Sequence, residues 1–389
     1  MRLSSCLPPA LASAVALFFT ACAPAVNLPG VHEPLDSEEW KRCAGELEER
    51  ESISLIDDLT LDSKTLLCRG VVRAADGKVT EGLDLLTEAT VLDKEDHRPH
   101  YLMGRILTEA GRYEEALAAF ERSQQRFPEM EVPTERLGRR VREKDGDEPA
   151  KTFLLKAKER ELCPYGCMGL LAEVYHDTGD DEQAGKIFDQ MVKSKPGEPA
   201  GYVGQASLAN SKSDFMTESE LLTKATKTAH FKDLSERQQA DIHYAHAFSR
   251  YNARKYKGAA KSIERGLRIE KKADWYVLAG WIELKLDNPA MALTKFEKAT
   301  DLDSKLAAAH AGQGDSLIAL GRTNDAIESF EKAKKLDAKD AVIVLKLAHA
   351  KAVAGDIDAA AALVDEAAAL DKEHLPPDLL KKVTTLIQQ

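Results

Sequence analysis

At 389 residues with 43% apolar content, the chain is long enough to bury a large core, either in two domains or in one extended stack. Ala, Leu, Lys and Glu dominate, β-branched stretches are few and no strand-like alternation runs far, which favours an all-α fold over a β one. A formal net charge of −11 argues against general nucleic-acid binding.

The first residues read as targeting rather than fold. Arg2 gives a short positive start, and Leu7 to Phe19 form an apolar run too short for a comfortable membrane-spanning helix. Thr20, Ala21 and Cys22 follow, and together they resemble a bacterial lipobox. That resemblance implies a signal peptide over 1–21, a lipid on Cys22 and a proline-containing tether over 22–35. Phe19 stands where the lipobox usually has leucine, and the alternative is an ordinary cleaved signal peptide. Ala23, where other lipoproteins carry aspartate, resembles those sent on to the outer membrane. The expected location is therefore the periplasmic face of a bacterial outer membrane, the alternative being a soluble periplasmic or secreted protein.

Removing that leader leaves Cys43, Cys68, Cys163 and Cys167 besides the anchor. An even number of cysteines in an exported chain predicts disulfides. Three pairings are open, and locality favours Cys43–Cys68 and Cys163–Cys167. The first would staple a leading helix to the segment after it, and the second would close the short CPYGC loop. The spacing of Cys163 and Cys167 is not that of a redox CxxC motif, which points to structural bridges.

Residues 36–62 read as a terminal capping helix and a link. Asp36 is its N-cap and Glu39 completes a capping-box arrangement. From Ser63 onward the chain repeats. The clearest unit runs from Ala307 to Lys339, with Gly314, Leu317, Gly321, Ala326, Phe330 and Ala333 as landmarks. Helices that cross closely need small side chains at the crossing and a large knob in the hole between them. Small residues at unit positions 8, 20 and 27 with a bulky apolar residue at 24 meet that need. These landmarks resemble the tetratricopeptide repeat (TPR), a pair of antiparallel helices of about 34 residues.

The same register starts units near Ser63, His97, Glu131, Tyr165 and Pro199, a first block over 63–232. Gly70, Gly104 and Gly138 fall at position 8, and Leu86, Phe120 and Leu154 at position 24. Gly82 and Glu218 depart from the pattern at position 20, as does Met191 at 27. The register breaks over 233–239, where Ser235 and Gln238 offer a new capping box. A second block over 240–374 holds units from Ala240, Ala273, Ala307 and Ala341, and 375–389 read as a C-terminal capping helix. The TPR resemblance implies an all-α solenoid, a right-handed superhelix of helix-turn-helix units closed by terminal capping helices.

In TPR proteins the first helices line a concave groove, with unit positions 2, 5, 9, 12 and 13 pointing into it. Carried onto this chain, they select Tyr244, Phe248, Tyr251, Asn252 and Trp281 as a groove for a peptide. The competing reading is that these rings fill the inter-helix core. The same positions select Arg98, Tyr101, Arg105, Arg139 and Arg142, a patch suited to acidic partners because Arg grips carboxylates bidentately. The competing reading there is a solvated face paired with Glu135, Glu143 and Asp145. His243 and His246 have a spacing that can chelate a metal, but no third ligand is evident, so no metal is expected. No phosphate loop, nucleophile elbow or HExxH motif occurs, so neither enzymatic activity nor a cofactor or small-molecule substrate is expected.

The expected function is a membrane-anchored scaffold for protein or peptide partners in envelope assembly, with no nucleic acid. Its alternatives are a structural subunit of a pilus or secretion apparatus, or an adaptor of a peptidoglycan hydrolase or protease.

Overall fold

The structure, a computed structural model, describes residues 63–129, 132–371 and 373–389. The expectations for the leader, Cys22, the tether, the 36–62 helix and the Cys43 half of a bridge lie outside the described residues. Among the described residues the chain forms 19 α-helices and one 3₁₀ helix, with no strand. They fall into two compact units, 63–195 and 196–389.

The first unit holds four antiparallel pairs: α1 (Ser63–Ala75) with α2 (Val79–Leu92), α3 (Arg98–Glu109) with α4 (Tyr113–Arg126), α5 (Thr134–Asp145) with α6 (Asp147–Glu159), and α7 (Tyr165–Asp177) with α8 (Asp181–Ser194). The second opens with α9 (Ala200–Ser211) and α10 (Phe215–Ala225), followed by a 3₁₀ helix at Ala229–Asp233. Four more pairs follow: α11 (Glu236–Asn252) and α12 (Tyr256–Ile269), α13 (Ala273–Lys285) and α14 (Pro289–Leu302), α15 (Ala307–Ala319) and α16 (Thr323–Leu336), α17 (Ala341–Val353) and α18 (Ile357–Asp371). A last helix, α19 (Pro377–Ile387), packs on α17 and α18.

The small and bulky landmarks meet in space, which is why the period recurs. A methyl added at Gly104 would approach the Phe120 ring to 2.6 Å, and one at Gly314 would approach Phe330 to 2.6 Å. The glycine lets the first helix come down onto the ring of the second. Gly321 ends α15 with φ of +74°, and the Arg322 N–H donates back to Leu317 O at 2.9 Å, a left-handed stop that turns the chain into α16. At the equivalent turns Ser213, Arg254 and Asp287 adopt the same positive φ without glycine's freedom, so packing of the helix pair holds them there.

In the first unit, the junction between the second and third pairs is bridged by ionic contacts. Arg140 Nε meets Glu109 Oε1 at 2.7 Å, Arg160 Nη1 meets Glu121 Oε2 at 2.7 Å, and Lys144 Nζ donates to Glu109 O at 2.8 Å. The Cys163–Cys167 disulfide is formed across the turn into α7, with Cys167 fully buried.

The break read at 233–239 lies inside the second unit, and the division into compact units comes earlier, at Pro196. The insertion does not part its neighbours, because α10 packs directly on α11. Ser235 and Gln238 form the reciprocal capping box, each side chain meeting the other's backbone N–H. That cap starts α11 at Glu236, about one turn before the repeat register resumes at Ala240. At the far end, α19 brings Val383 onto Val344, Leu345 and Leu375, covering an apolar face that the last pair would otherwise expose. Among the described residues no helix is long and apolar enough to cross a membrane.

Candidate functional site

In the second unit the first helices of successive pairs, α11, α13, α15 and α17, contact one another, so residues at equivalent repeat positions become neighbours. Phe248 on α11 and Trp281 on α13 are both half-buried. Phe248 meets Phe215 edge-on at 6.2 Å between centroids, and Trp281 meets Phe296 edge-on at 5.2 Å. Each ring is thus seated on the core by one edge and keeps surface to offer. Leu284 and Ile318, also half-buried, continue the apolar row.

The other members of the expected groove sit deeper. Tyr244 is 7% exposed and stacks on Trp275 with centroids 5.0 Å apart. Tyr251 is 9% exposed, meets Tyr256 edge-on, and has its phenol pushed up to about 12, first by burial. Both belong to the core cluster of α11–α14, so they support the face more than they present it. Asn252 donates its side-chain N–H to Phe248 O at 3.0 Å, one turn back on its own helix. The reason is geometric: repeat position alone does not say how far a neighbouring helix rides over a ring.

Two residues of this face went unread in the sequence. Lys346 on α17 places its ammonium 4.6 Å from the Trp281 ring centroid and 2.7 Å from Asp315 Oδ2 on α15. Asp315 also acts on the Tyr251 phenol and on the half-buried His349. Carrying position 9 onward from Phe248 and Trp281 would have found Asp315 and His349. Lys346 lies off the groove positions, and only the spacing of adjacent helices reveals it.

The arginine patch resolves differently. Arg98 is held bidentately by Asp96, Nε to Oδ1 at 2.9 Å and Nη2 to Oδ2 at 2.8 Å. Arg139 lies between Glu135 Oε1 at 3.2 Å and Glu173 Oε2 at 3.5 Å. Arg142 bridges Asp147 Oδ1 at 2.6 Å and Asp177 Oδ2 at 2.5 Å. Three of the four expected arginines are therefore neutralised within the fold, chiefly by acids other than those anticipated. Only Glu135 of the anticipated three pairs in this way, and Asp145 instead contacts the Tyr113 hydroxyl. Arg105 and Tyr101 remain.

The buried ionisable groups are packed into the fold. His243 meets Phe231 edge-on, and His246 Nε2 lies 3.0 Å from Thr223 Oγ1. Burial pushes both imidazoles down, to about 4 and about 3. Among the described residues no cluster of three metal-ligating side chains forms. Glu218, the departure at position 20, is 2% exposed. Its carboxyl is pushed up to about 8 by burial, against a 2.9 Å hydrogen bond from Asn210 Nδ2. Glu173 is raised for the same first cause, with Arg139 and Arg142 opposing it.

A family profile described as tetratricopeptide repeat matches residues 69–131 and 277–341. No curated protein matches the chain. Among solved structures, it is similar to YrrB, titled a TPR protein with an unusual peptide-binding site, at 20% identity, with 51% of this chain and 97% of that one covered and a TM-score of 0.40. It is also similar to PilF of Pseudomonas aeruginosa (16% identity, 57% and 96% covered, TM-score 0.45). A third is MamA from Desulfovibrio magneticus RS-1 (16% identity, 45% and 96% covered, TM-score 0.40). The chain thus carries tetratricopeptide repeats over residues 69–131 and 277–341, and the same pairing of helices recurs through the rest of the described residues.

Proposed function

We propose that this chain is a scaffold that binds a protein or peptide partner on the face formed by α11, α13 and α15, held at a bacterial outer membrane through a lipid on Cys22. The observation that carries the binding is the row of Phe248, Trp281, Leu284 and Ile318, half-buried on consecutive first helices. Such side chains give a partner large, stiff contact area at low entropic cost. Asp315 and Lys346 border the row and fix a charged register beside it. The lipid anchor rests on the sequence Thr20-Ala21-Cys22 after the apolar run. With recognition on this face and attachment through Cys22, the chain concentrates its partner at the membrane without chemistry of its own.

The test is affinity capture from membranes with wild type beside the Phe248→Ala/Trp281→Ala variant, after circular dichroism has shown that both are folded. A partner held by wild type drops at least about tenfold in the variant, as expected when two anchor side chains are truncated. Cys22→Ser moves the chain from the membrane to the soluble fraction. Identical capture by wild type and folded variant would sink the groove reading, and membrane retention of Cys22→Ser would sink the anchor.

A further inference from the structure

On several second helices the cations are answered by acids of the fold. Lys156 and Arg160 of α6 meet Glu114 and Glu121 of α4, Lys186 meets Glu182 within α8, and Lys334 of α16 meets Glu366 of α18. The second helix α12 departs from this. It packs on α11 and α13, and its other side carries Lys257, Lys261, Arg265 and Arg268, all exposed. None of these four side chains makes an ion pair or hydrogen bond among the described residues. Arg254 and Lys255 in the turn before α12, and Lys271 just after it, are exposed and unpaired in the same way. Two neighbouring cations are used by the fold. Arg250 donates to Ser262 Oγ at 2.9 Å, and Lys272 meets Asp241 Oδ1 at 3.2 Å and Glu270 Oε2 at 2.9 Å. Glu264 is the one acid on α12, and it too is exposed and unpaired.

Helical geometry sets the four cations of α12 within about 80° of arc along about 16 Å of the helix. Lys257 and Lys261, and Lys261 and Arg265, are like charges four residues apart, an arrangement that opposes the helix rather than supporting it. In a chain of net charge −11, these unpaired cations make a local field of the opposite sign to the whole. An anion from outside would relieve the repulsion. No hydrogen bond fixes any of the four as a fork for a single carboxylate, so the charges swing freely on an outward helix face. At the end of the stripe Ile269, 38% exposed, sets an apolar side chain beside Arg268. A row of mobile cations with an apolar side chain at its end fits a plane of mobile phosphates over hydrocarbon better than it fits fixed acidic side chains.

We propose that the outward face of α12, through Lys257, Lys261, Arg265 and Arg268, docks the chain on the headgroups of an anionic phospholipid surface. The cations meet lipid phosphates from one side of the helix, and Ile269 enters the headgroup layer beside them. This contact deepens the scaffold reading, resting on it only for the choice of membrane, and it acts independently of the lipid on Cys22. It also leaves the aromatic row untouched, because that row lies on the first helices and the docking face on a second.

The test is vesicle co-sedimentation of the full chain carrying Cys22→Ser, so that no acyl chain contributes. Binding to phosphatidylcholine vesicles with about 30 mol% phosphatidylglycerol is at least about tenfold tighter than to phosphatidylcholine alone, and the difference shrinks as salt is raised. Changing Lys257, Lys261, Arg265 and Arg268 together to Gln weakens binding to the anionic vesicles at least about tenfold. The control changes the exposed Lys305, Lys332, Lys335 and Lys339 to Gln, the same loss of charge elsewhere, and costs less than about threefold. All eight side chains are exposed, and circular dichroism checks that both variants fold. Equal binding to the two kinds of vesicle, or equal losses in the two variants, overturns the proposal. A chain that ignores the anionic vesicles but binds polyglutamate or single-stranded DNA through these four residues also overturns it, because the face would then belong to a polyanion in solution. Phe248→Ala/Trp281→Ala keeps the vesicle binding of its parent, so a failure of the aromatic row or of the anchor is read separately from a failure here.

Discussion

Phe296→Ala lowers the unfolding free energy by about 3–5 kcal/mol, the range found when a buried phenylalanine is truncated to leave a cavity. Phe296 is 0% exposed on α14. Added methyls at Gly280 and Gly312 would come within 2.6 Å and 2.2 Å of its ring, so the two glycines close over it from successive first helices. The edge of Trp281 closes on it as well. Backbone that has come this close cannot collapse into the vacated volume without moving whole helices, which places the cost toward the upper end. A single domain has only about 5–15 kcal/mol to lose. Leu302→Ala on the same helix is the control, because Leu302 is 52% exposed and a surface change of that kind stays within about 0.5 kcal/mol. Urea titration followed by circular dichroism reads both. A Phe296→Ala loss no larger than that of Leu302→Ala would contradict this packing.

Glu218→Gln stabilises the chain at alkaline pH and does little under acid conditions. In the unfolded chain the carboxyl ionises near its ordinary 4.5, whereas in the fold burial raises it to about 8. The contribution of a group shifted in this direction is fully present below pH 4.5 and is lost progressively as pH climbs to about 8, because folding must keep a proton that the unfolded chain has released. Gln keeps the shape and the Asn210 contact without an ionisable group. The expected gain for the variant is about 2 kcal/mol near pH 8, less than the full shift would give because buried sites relax and admit water. His243 and His246 act in the opposite sense on the acid side. Their folded values of about 4 and 3 lie below the ordinary 6.5, so their contribution is present above 6.5 and lost as pH falls. Urea titrations at about pH 5, 6.5 and 8 follow the difference between wild type and variant. A difference independent of pH would show that Glu218 is ionised in the fold.

The same residue shows why a departure from the repeat pattern is informative. Position 20 calls for a small side chain, and Glu218 breaks that rule in the sequence. In the fold it stays in the crossing, buried and tied to Asn210. The departure thus places a titrating group inside the stack, and α9 and α10 still pack together.

What the sequence determined by itself is the architecture. The alternation of Gly104 with Phe120 and of Gly314 with Phe330 is a local rule about how two helices cross, and a rule of that kind repeats wherever its residues repeat. Ser235 and Gln238 announced a helix start for the same reason, since a cap is made by residues within one turn of each other. The fate of individual side chains was decided only in three dimensions. Arg139 is paired by Glu173 and Lys346 by Asp315, partners one repeat away along the chain and adjacent only after the helices stack. Tyr244 is covered because Trp275, on the first helix of the next pair, stacks over it, while Phe248, one turn on, is half-buried. Charge pairing and coverage depend on the ångström-scale offset between neighbouring repeats, and that offset is a property of the packed stack.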